Sequence, residues 1–252
     1  MKEQRTAMIF AAGLGTRLQP LTNYRPKALV EIEGRPLIEI QLERLYQTGW
    51  RRIIVNIHHF PDMMKEWISA YHRHPDMEIL ISDESDHLLN TGGGLKKAAS
   101  QIGLTDGYPL LVHNVDILDN ADMNVLASHF TSNTDAILIV SNRNTQRYLL
   151  FDKDNRLVGW THTGTGEIRT PYKELDLDAC RKMAFAGIHI IGSRAIATMQ
   201  DYPDAFSIID FYIRECNQLV IRGYNPPQLA ILDVGKPEAL QKATSFYHLY
   251  YS

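Results

Sequence analysis

Residues 8–18 read Met8-Ile9-Phe10-Ala11-Ala12-Gly13-Leu14-Gly15-Thr16-Arg17-Leu18, an apolar run that closes on two glycines and a cation. Met8 to Ala12 predicts a strand buried on both faces, its C-terminal end opening into a loop. Glycines let backbone N–H groups come close to anionic oxygens, so this loop suits phosphates. It is not a dinucleotide fingerprint, which wants a third glycine where Leu18 stands, nor a Walker loop, which wants Gly-Lys-Ser/Thr. Downstream, Pro20 and Pro26 forbid a regular helix, and Arg17 and Lys27 stand ten positions apart with no acidic residue between them. Two uncompensated cations beside a glycine turn suggest a polyphosphate. The competing reading is a surface loop whose Arg and Lys are simply solvated.

Working outward, Leu37, Ile38, Leu42 and Leu45 share one helical face, Gly49 suits the helix end, and Ile53 to Ile57 reads as the next strand. Strand, loop, helix, strand is the start of a parallel sheet. The alternation continues with a helix Met63–Tyr71, a strand Glu78–Ile81, a glycine loop Thr91–Gly94, a helix Leu95–Ile102 and a strand Pro109–His113. Asp122 is placed to cap a helix ending near Phe130, and Ala136 to Val140 is another buried strand. Past residue 145 the texture changes: Tyr148–Phe151 and Arg156–Trp160 flank Asp-Lys-Asp-Asn, a β-hairpin pattern. Ala184–Ile191 predicts a central strand, Ser193 and Ser207 are helix-cap candidates, Leu229–Val234 reads as a last buried strand, and Pro237 can open a terminal helix.

The 252 residues are ample for a substantial core, and 44% hydrophobic with 22% charged residues is an ordinary globular composition. A net charge of −3, from 26 basic and 29 acidic side chains, gives no electrostatic case for nucleic-acid binding. Cys180 and Cys216 are too few for a zinc site or a disulfide framework, and the apolar run after Met-Lys-Glu-Gln-Arg is too short to span a bilayer. These features predict a cytoplasmic chain with no membrane partner. No hexapeptide repeat points to an appended β-helix.

Ala11-Ala12-Gly13-Leu14-Gly15-Thr16-Arg17-Leu18-Gln19-Pro20, with Arg25-Pro26-Lys27-Ala28-Leu29 and Gly34-Arg35-Pro36-Leu37-Ile38, resembles the N-terminal signature of the sugar-1-phosphate nucleotidylyltransferases. The resemblance implies an α/β fold: a Rossmann-like, mostly parallel sheet flanked by helices, with a β-rich sugar-side lobe. It implies one domain over 1–252, with a nucleotide-binding part in 1–145 and a sugar-phosphate-binding part in 146–252. It also implies a nucleoside triphosphate over Ala11, Ala12, Gly13, Gly15 and Thr16, with Arg17 and Lys27 as the catalytic cations on its phosphates.

Asp116 follows the strand Pro109–His113 and Asp233 ends the run from Leu229, so in an open sheet both project at the carboxyl edge where ligands bind. Two carboxylates on one triphosphate make a Mg2+ site; a lone Asp after a strand is otherwise a turn former or cap. Asn114-Val115-Asp116 and Asp233-Val234-Gly235 resemble the family's two aspartate elements, with Val115 where a glycine is usual. Asn90-Thr91-Gly92-Gly93-Gly94 resembles the base-contacting loop, most like the N-acetylmuramate 1-phosphate uridylyltransferase branch, which implies base contacts from Asn90, Thr91 and Gly92. Asn56 also fits that branch. On composition alone the same stretch is a flexible loop.

Arg147-Tyr148-Leu149 resembles a sugar-lining Arg-Tyr-Gly segment, and Phe185-Ala186-Gly187 another, which implies sugar-phosphate contacts from Tyr148 and Gly187. The family's Glu-Lys-Pro lysine has no match, leaving Arg147, Lys173, Arg181 or Lys182 to hold the sugar phosphate. His58 and His59, on opposite faces of a strand, supply too few ligands for a metal. Met63, Met64, Trp67, Ile68 and Tyr71 read as core. Trp160, Phe246, Tyr247, Tyr250 and Tyr251 suit either the core or a homo-oligomer contact. The expected reaction is nucleotidyl transfer from a triphosphate, UTP first, to a sugar 1-phosphate. The alternatives are GTP-dependent transfer to mannose or heptose 1-phosphate, a phosphocholine-type cytidylyltransferase, and a silent nucleotide-sensing subunit.

Overall fold

A computed structural model describes residues 5–103 and 109–251; the Met1 to Gln4 start lies outside the described residues. The first half alternates as its hydrophobic pattern requires. β1 (Thr6–Phe10) is followed by three short 3-10 turns in residues 16–29, the hairpin β2 (Glu31–Ile32) and β3 (Arg35–Pro36), α1 (Leu37–Gln47), β4 (Arg52–Ile57), α2 (Pro61–Ala70) and β5 (Glu78–Asp83). Then come α3 (Asn90–Ile102), β6 (Leu110–Asn114), β7 (Ile117–Asp119), α4 (Met123–Ser128) and β8 (Ala136–Ser141). β6, β1, β4 and β5 pair in that order, all parallel, so their C-terminal ends open on one edge.

The second half is antiparallel where it meets the first. β9 (Arg147–Phe151), β10 (Leu157–His162) and β11 (Glu167–Arg169) form a meander, its first turn helped by Asn155 at φ 60°. β12 (Arg181–Ile191) pairs antiparallel with β6, β8 and β9, and so joins the meander to the parallel strands. After α5 (Ser193–Thr198) and α6 (Ile208–Glu215), β13 (Ile221–Tyr224) lies parallel to β8. β14 (Ile231–Asp233) and α7 (Pro237–Tyr250) complete the chain.

Alternation along β1 divides the core. Ala7 and Ile9 pack with α1, α2 and α7, while Met8 packs with α3, α5 and α6, so the sheet is covered on both faces. Among the described residues no helix is long and apolar enough to cross a membrane.

Five local expectations are corrected. Ala11 and Ala12 belong to the loop after β1, not to the strand. Gly92, Gly93 and Gly94 are the first turns of α3 rather than a loop, because that backbone packs too tightly for side chains: a Cβ on Gly93 would stand 1.9 Å from the Asp204 carbonyl oxygen. Ser193 is inside α5, whose cap is Gly192, whereas Ser207 and Asp122 do cap α6 and α4. β14 is three half-buried residues paired only with β7, outside the main sheet. Met63 is 38% exposed while Met64 and Ile68 carry the buried face of α2.

Candidate active site

At the exit of β1 the backbone is held from below. The N–H groups of Ala11 and Ala12 donate to Asn56 Oδ1 at 2.7 and 3.4 Å, and Asn56 Nδ2 donates to Glu84 Oε1 at 2.8 Å. The other Glu84 oxygen accepts the Leu89 N–H at 3.1 Å. Asn56 is 3% and Glu84 1% exposed, so this polar chain is almost wholly buried beneath the cavity it lines, and it fixes the ends of β1, β4 and β5 to the start of α3. Above it lies a cavity of about 210 Å³ lined by Ala11, Ala12 and Gly13 on one side and by Asn90, Thr91 and Val115 on the other.

The two loop glycines do different work. Gly15 has φ +67°, and a Cβ there would meet Thr22 Cγ2 at 2.8 Å; a Cβ on Gly13 would meet nothing within 4 Å, so Gly13 leaves open space. Thr16 starts the 3-10 turn that contains Arg17. Gly92 is buried and outside the cavity lining, its N–H donated to the Phe206 carbonyl at 2.8 Å. Of the three residues expected at the base, Asn90 and Thr91 line the cavity, and Thr91 Oγ1 also accepts the Ile208 N–H at 3.0 Å.

Asp116 sits in the tight turn between β6 and β7, and its carbonyl accepts the Val234 N–H at 2.9 Å. That bond sets the two distant aspartates side by side. Lys27, 8% exposed, pairs with the Asp116 carboxylate and is therefore compensated, contrary to the expectation from the loop alone. The group closes around Gly235, where an added Cβ would stand 2.6 Å from Asp233 Oδ1, 2.8 Å from Arg17 Nη2 and 3.1 Å from Lys27 Nζ. A side chain at 235 would push these charged groups apart.

A buried ion group lies beneath the Asp116 turn. Asp119 pairs with Arg44 and faces His113 Nε2 at 3.0 Å, and its backbone N–H donates to Tyr251 Oη at 2.8 Å. Burial alone would raise the Asp119 carboxyl, but the charge of Arg44 and the bond to His113 hold it below the usual carboxylate range. Tyr251, on the last turn after α7, is half-buried and packs against the core. Gln41 Nε2 donates to the Ile117 carbonyl at 2.6 Å and fixes the other side of the turn.

On the far side of the charged cluster a second cavity, of about 850 Å³, is floored by β9, β10 and β11 and includes Arg17, Asp233 and Lys236 at its mouth. Besides Arg17 and Lys236, its Arg and Lys residues are Arg143, Arg147 and Arg169; Lys173, Arg181 and Lys182 do not line it. Tyr148 does not line it either. Strand alternation points Arg147 and Leu149 inward and turns the Tyr148 hydroxyl to the Thr145 N–H at 3.0 Å, so Tyr148 braces the loop before β9. Gly187, at φ +80°, lets β12 pass the Asn114 side chain, which a Cβ would meet at 2.7 Å. His58 and His59 follow β4 rather than occupy it, and each is half-buried against a backbone carbonyl, of Glu84 at 2.7 Å and Thr22 at 3.4 Å.

Glu84, Arg143, Arg169 and Lys236 were not expected. Glu84 had a usable signal, since it directly follows β5 at the edge where parallel strands end. Among the described residues no group of three or more His, Cys, Asp and Glu could hold a metal; the acidic set of the central cluster is the Asp116–Asp233 pair.

The nucleotidyl transferase family model matches residues 6–157. The N-acetylmuramate alpha-1-phosphate uridylyltransferase of Caulobacter vibrioides is 31% identical over 239 residues, 93% of each chain. The mannose-1-phosphate guanyltransferase of Aspergillus oryzae is 36% identical over 134 residues, 53% of this chain and 36% of the relative. The solved structure of HddC from Yersinia pseudotuberculosis superposes with a TM-score of 0.76 at 22% identity, over 97% of this chain and all of that one, which shows the same fold. With a conforming loop, an edge cluster at its mouth and a relative alike from end to end, the chain belongs to the nucleotidyl transferase family.

Proposed function

We propose that this protein transfers a uridylyl group from UTP to a sugar 1-phosphate, N-acetylmuramate 1-phosphate first, and releases pyrophosphate. The observation that carries the reading is the meeting of Arg17, Lys27, Asp116 and Asp233 around Gly235, between a small cavity at the glycine loop and a larger cationic one. An oxygen of the sugar phosphate attacks the α-phosphorus; the new P–O bond forms as the bond to the β-phosphate oxygen breaks, and its electron pair leaves on pyrophosphate. The nucleophile is already an anion, so no general base is required, and the protein's task is to align repelling phosphates and balance their charge. Arg17 is placed for the leaving pyrophosphate and Lys27 for the phosphates of the bound nucleotide. Gly13 leaves the space in which those phosphates lie, and Asn90 and Thr91 face the base.

The donor set fits a magnesium ion: two carboxylates, hard oxygen donors, Asp116 lining the smaller cavity and Asp233 the larger, with phosphate oxygens left to complete the shell. Bound by Asp116 and Asp233, the ion would neutralise charge on the reacting phosphates. The end-to-end likeness to a uridylyltransferase supports UTP; the guanyltransferase likeness over 134 residues makes GTP the second reading. We place the reaction in the cytoplasm, where nucleoside triphosphates are made. The test is pyrophosphate release over four triphosphates and a panel of sugar 1-phosphates, with magnesium and with a chelator. UTP with N-acetylmuramate 1-phosphate and magnesium is expected to be fastest. GTP at equal or better efficiency overturns the uridylyl assignment, undiminished rates in chelator overturn the metal, and no release with any pair overturns the transfer.

A further inference from the structure

The two aspartates of the charged cluster are held in unlike ways. Asp116 is tied to the main sheet, because the Val115 N–H just before it donates to the Phe10 carbonyl of β1 at 3.1 Å. Asp233 ends β14, and among the described residues β14 pairs with β7 alone. Where the Asp233 carboxylate stands relative to Asp116 therefore depends on β7, a strand of three residues outside the main sheet. A two-stranded ribbon is marginal by itself, and its outer edge presents unpaired backbone groups.

Side chains complete that edge. The ladder to β14 is bonded at the Asp116 carbonyl, which takes the Val234 N–H, and at the Asn120 N–H, which donates to the Ala230 carbonyl at 3.2 Å. Antiparallel alternation then turns the main chain of Ile117 and Asp119 away from β14. Gln41 of α1, fully buried, donates from Nε2 to the Ile117 carbonyl at 2.6 Å. One phenol serves both groups of Asp119: Tyr251 Oη accepts its N–H at 2.8 Å and donates to its carbonyl at 2.7 Å. Arg44, paired with the Asp119 carboxylate, lies 5.2 Å from the centre of the Tyr251 ring and holds it there. The segment that leaves Asp233 through α7 thus returns at Tyr251 to clasp the far end of the ribbon, three residues or about 10 Å of strand from Asp116.

We propose that Gln41 and Tyr251 are positioning residues for the reaction: they stand in for a neighbouring strand along β7 and so set the spacing between the Asp116 and Asp233 carboxylates. Neither lines either cavity, so both act through the backbone of the ribbon. Magnesium demands a near-octahedral shell, and carboxylates that drift apart hold it poorly. A loosened β7 edge therefore costs metal affinity before it costs the fold. The inference rests on the two-aspartate metal reading above and adds to it the residues that keep the pair in register.

Two variants test it. Tyr251→Phe removes only the hydroxyl, and Gln41→Met keeps the side-chain length without the donor. Gln41 Oε1 is buried with no hydrogen-bond partner among the described residues, so the methionine also removes an unsatisfied oxygen and is expected to melt close to the wild type. Binding of Mn2+ alone, read by water-proton relaxation, is measured beside melting curves and magnesium-dependent pyrophosphate release. In each variant the Mn2+ dissociation constant and the half-saturating magnesium concentration are expected to rise together by roughly tenfold, as loss of support behind a metal ligand does. KM for the triphosphate at saturating magnesium stays within about twofold, because the glycine loop and the Asn56–Glu84 chain beneath it are untouched. A lower melting temperature with unchanged Mn2+ affinity overturns the proposal, since the two side chains would then serve the fold alone. So does a KM for the triphosphate that rises as far as the metal constant, which would mean that the whole nucleotide site had moved. If Tyr251→Phe fails to fold, Gln41→Met decides the question by the same constants. A wild-type protein that takes up no Mn2+, or an Asp116→Asn variant that takes it up undiminished, defeats the metal reading itself and the positioning role with it.

Discussion

The two cavities that flank the charged cluster are built on opposite principles. The smaller one has main chain along one wall, where Ala11, Ala12 and Gly13 leave β1, and the nearly buried Asn56 and Glu84 in its lining hold that backbone in place. The larger one is floored by long side chains on antiparallel strands, with its arginines reaching into solvent. A main-chain wall cannot be changed without moving the strands that make it, whereas an inward-facing strand residue can be exchanged with little effect on the core behind it. In the proposed reaction the triphosphate, common to every cycle, would take the inflexible side and the sugar the replaceable side.

The sharpest way to break this comparison is at the boundary. Asp116→Asn and Asp233→Asn are each expected to lower turnover by about two orders of magnitude or more, as removal of a charged ligand at the reacting phosphate does; Asp116→Asn should also melt lower, because it leaves the nearly buried Lys27 without its carboxylate. Magnesium-dependent pyrophosphate release, run beside a melting curve, decides it; near-normal turnover in either variant removes that residue from the site.

The next test contrasts a glycine of α3 outside the smaller cavity with a loop glycine that lines it. Gly93→Ala forces a methyl group onto the Asp204 carbonyl and is expected to destabilise the fold by about 1–3 kcal/mol, the range for overpacking a tight contact. Gly13→Ala meets nothing in the protein and should leave the urea midpoint where it is while raising KM for the triphosphate. A Gly13→Ala enzyme with unchanged KM would show that the phosphates do not lie over that residue.

The smallest effect concerns the seam between the two halves, where His189 on β12 pairs with Val112 and Leu138. It is 1% exposed, neither ring nitrogen has a hydrogen-bond partner among the described residues, and the Tyr212 ring stands perpendicular to it at 5.6 Å. Burial, with a lesser push from His113, lowers its pKa to about 3 from an ordinary 6.5. The unfolded chain therefore takes up a proton that the folded one refuses. Stability is complete above pH 6.5 and falls by about 1.4 kcal/mol per unit below it until the folded value is reached. His189→Leu is expected to flatten the loss of stability between pH 6.5 and pH 5, read from urea midpoints. An unchanged slope would show that His189 is not the group responsible.

Much of the first half was legible because its signals are local. A five-residue apolar run ending on glycine, prolines at 20 and 26, and apolar residues at helical spacing each act on the backbone where they stand. The roles of Gly92–Gly94 were not legible that way. Consecutive glycines read as a loop, yet here they are the turns of α3 that pass under Asp204 and Phe206, more than a hundred residues later in the chain. Tyr148 failed for a related reason: a strand has two faces, and which one looks into the cavity depends on what the meander packs against, so Arg147 and Leu149 face inward and their neighbour does not.

By itself, then, the sequence determined the parallel strands, the phosphate-suited loop with Arg17 and Lys27, and the candidacy of Asp116 and Asp233, because each is written within a few neighbouring residues. Only the tertiary structure decided that Lys27 pairs with Asp116, that Val234 binds the Asp116 carbonyl, and that Glu84, Arg143 and Lys236 belong to the site. Those facts depend on which strand ends lie side by side, and that arrangement comes from burying both faces of one sheet, a property of the whole chain rather than of any segment.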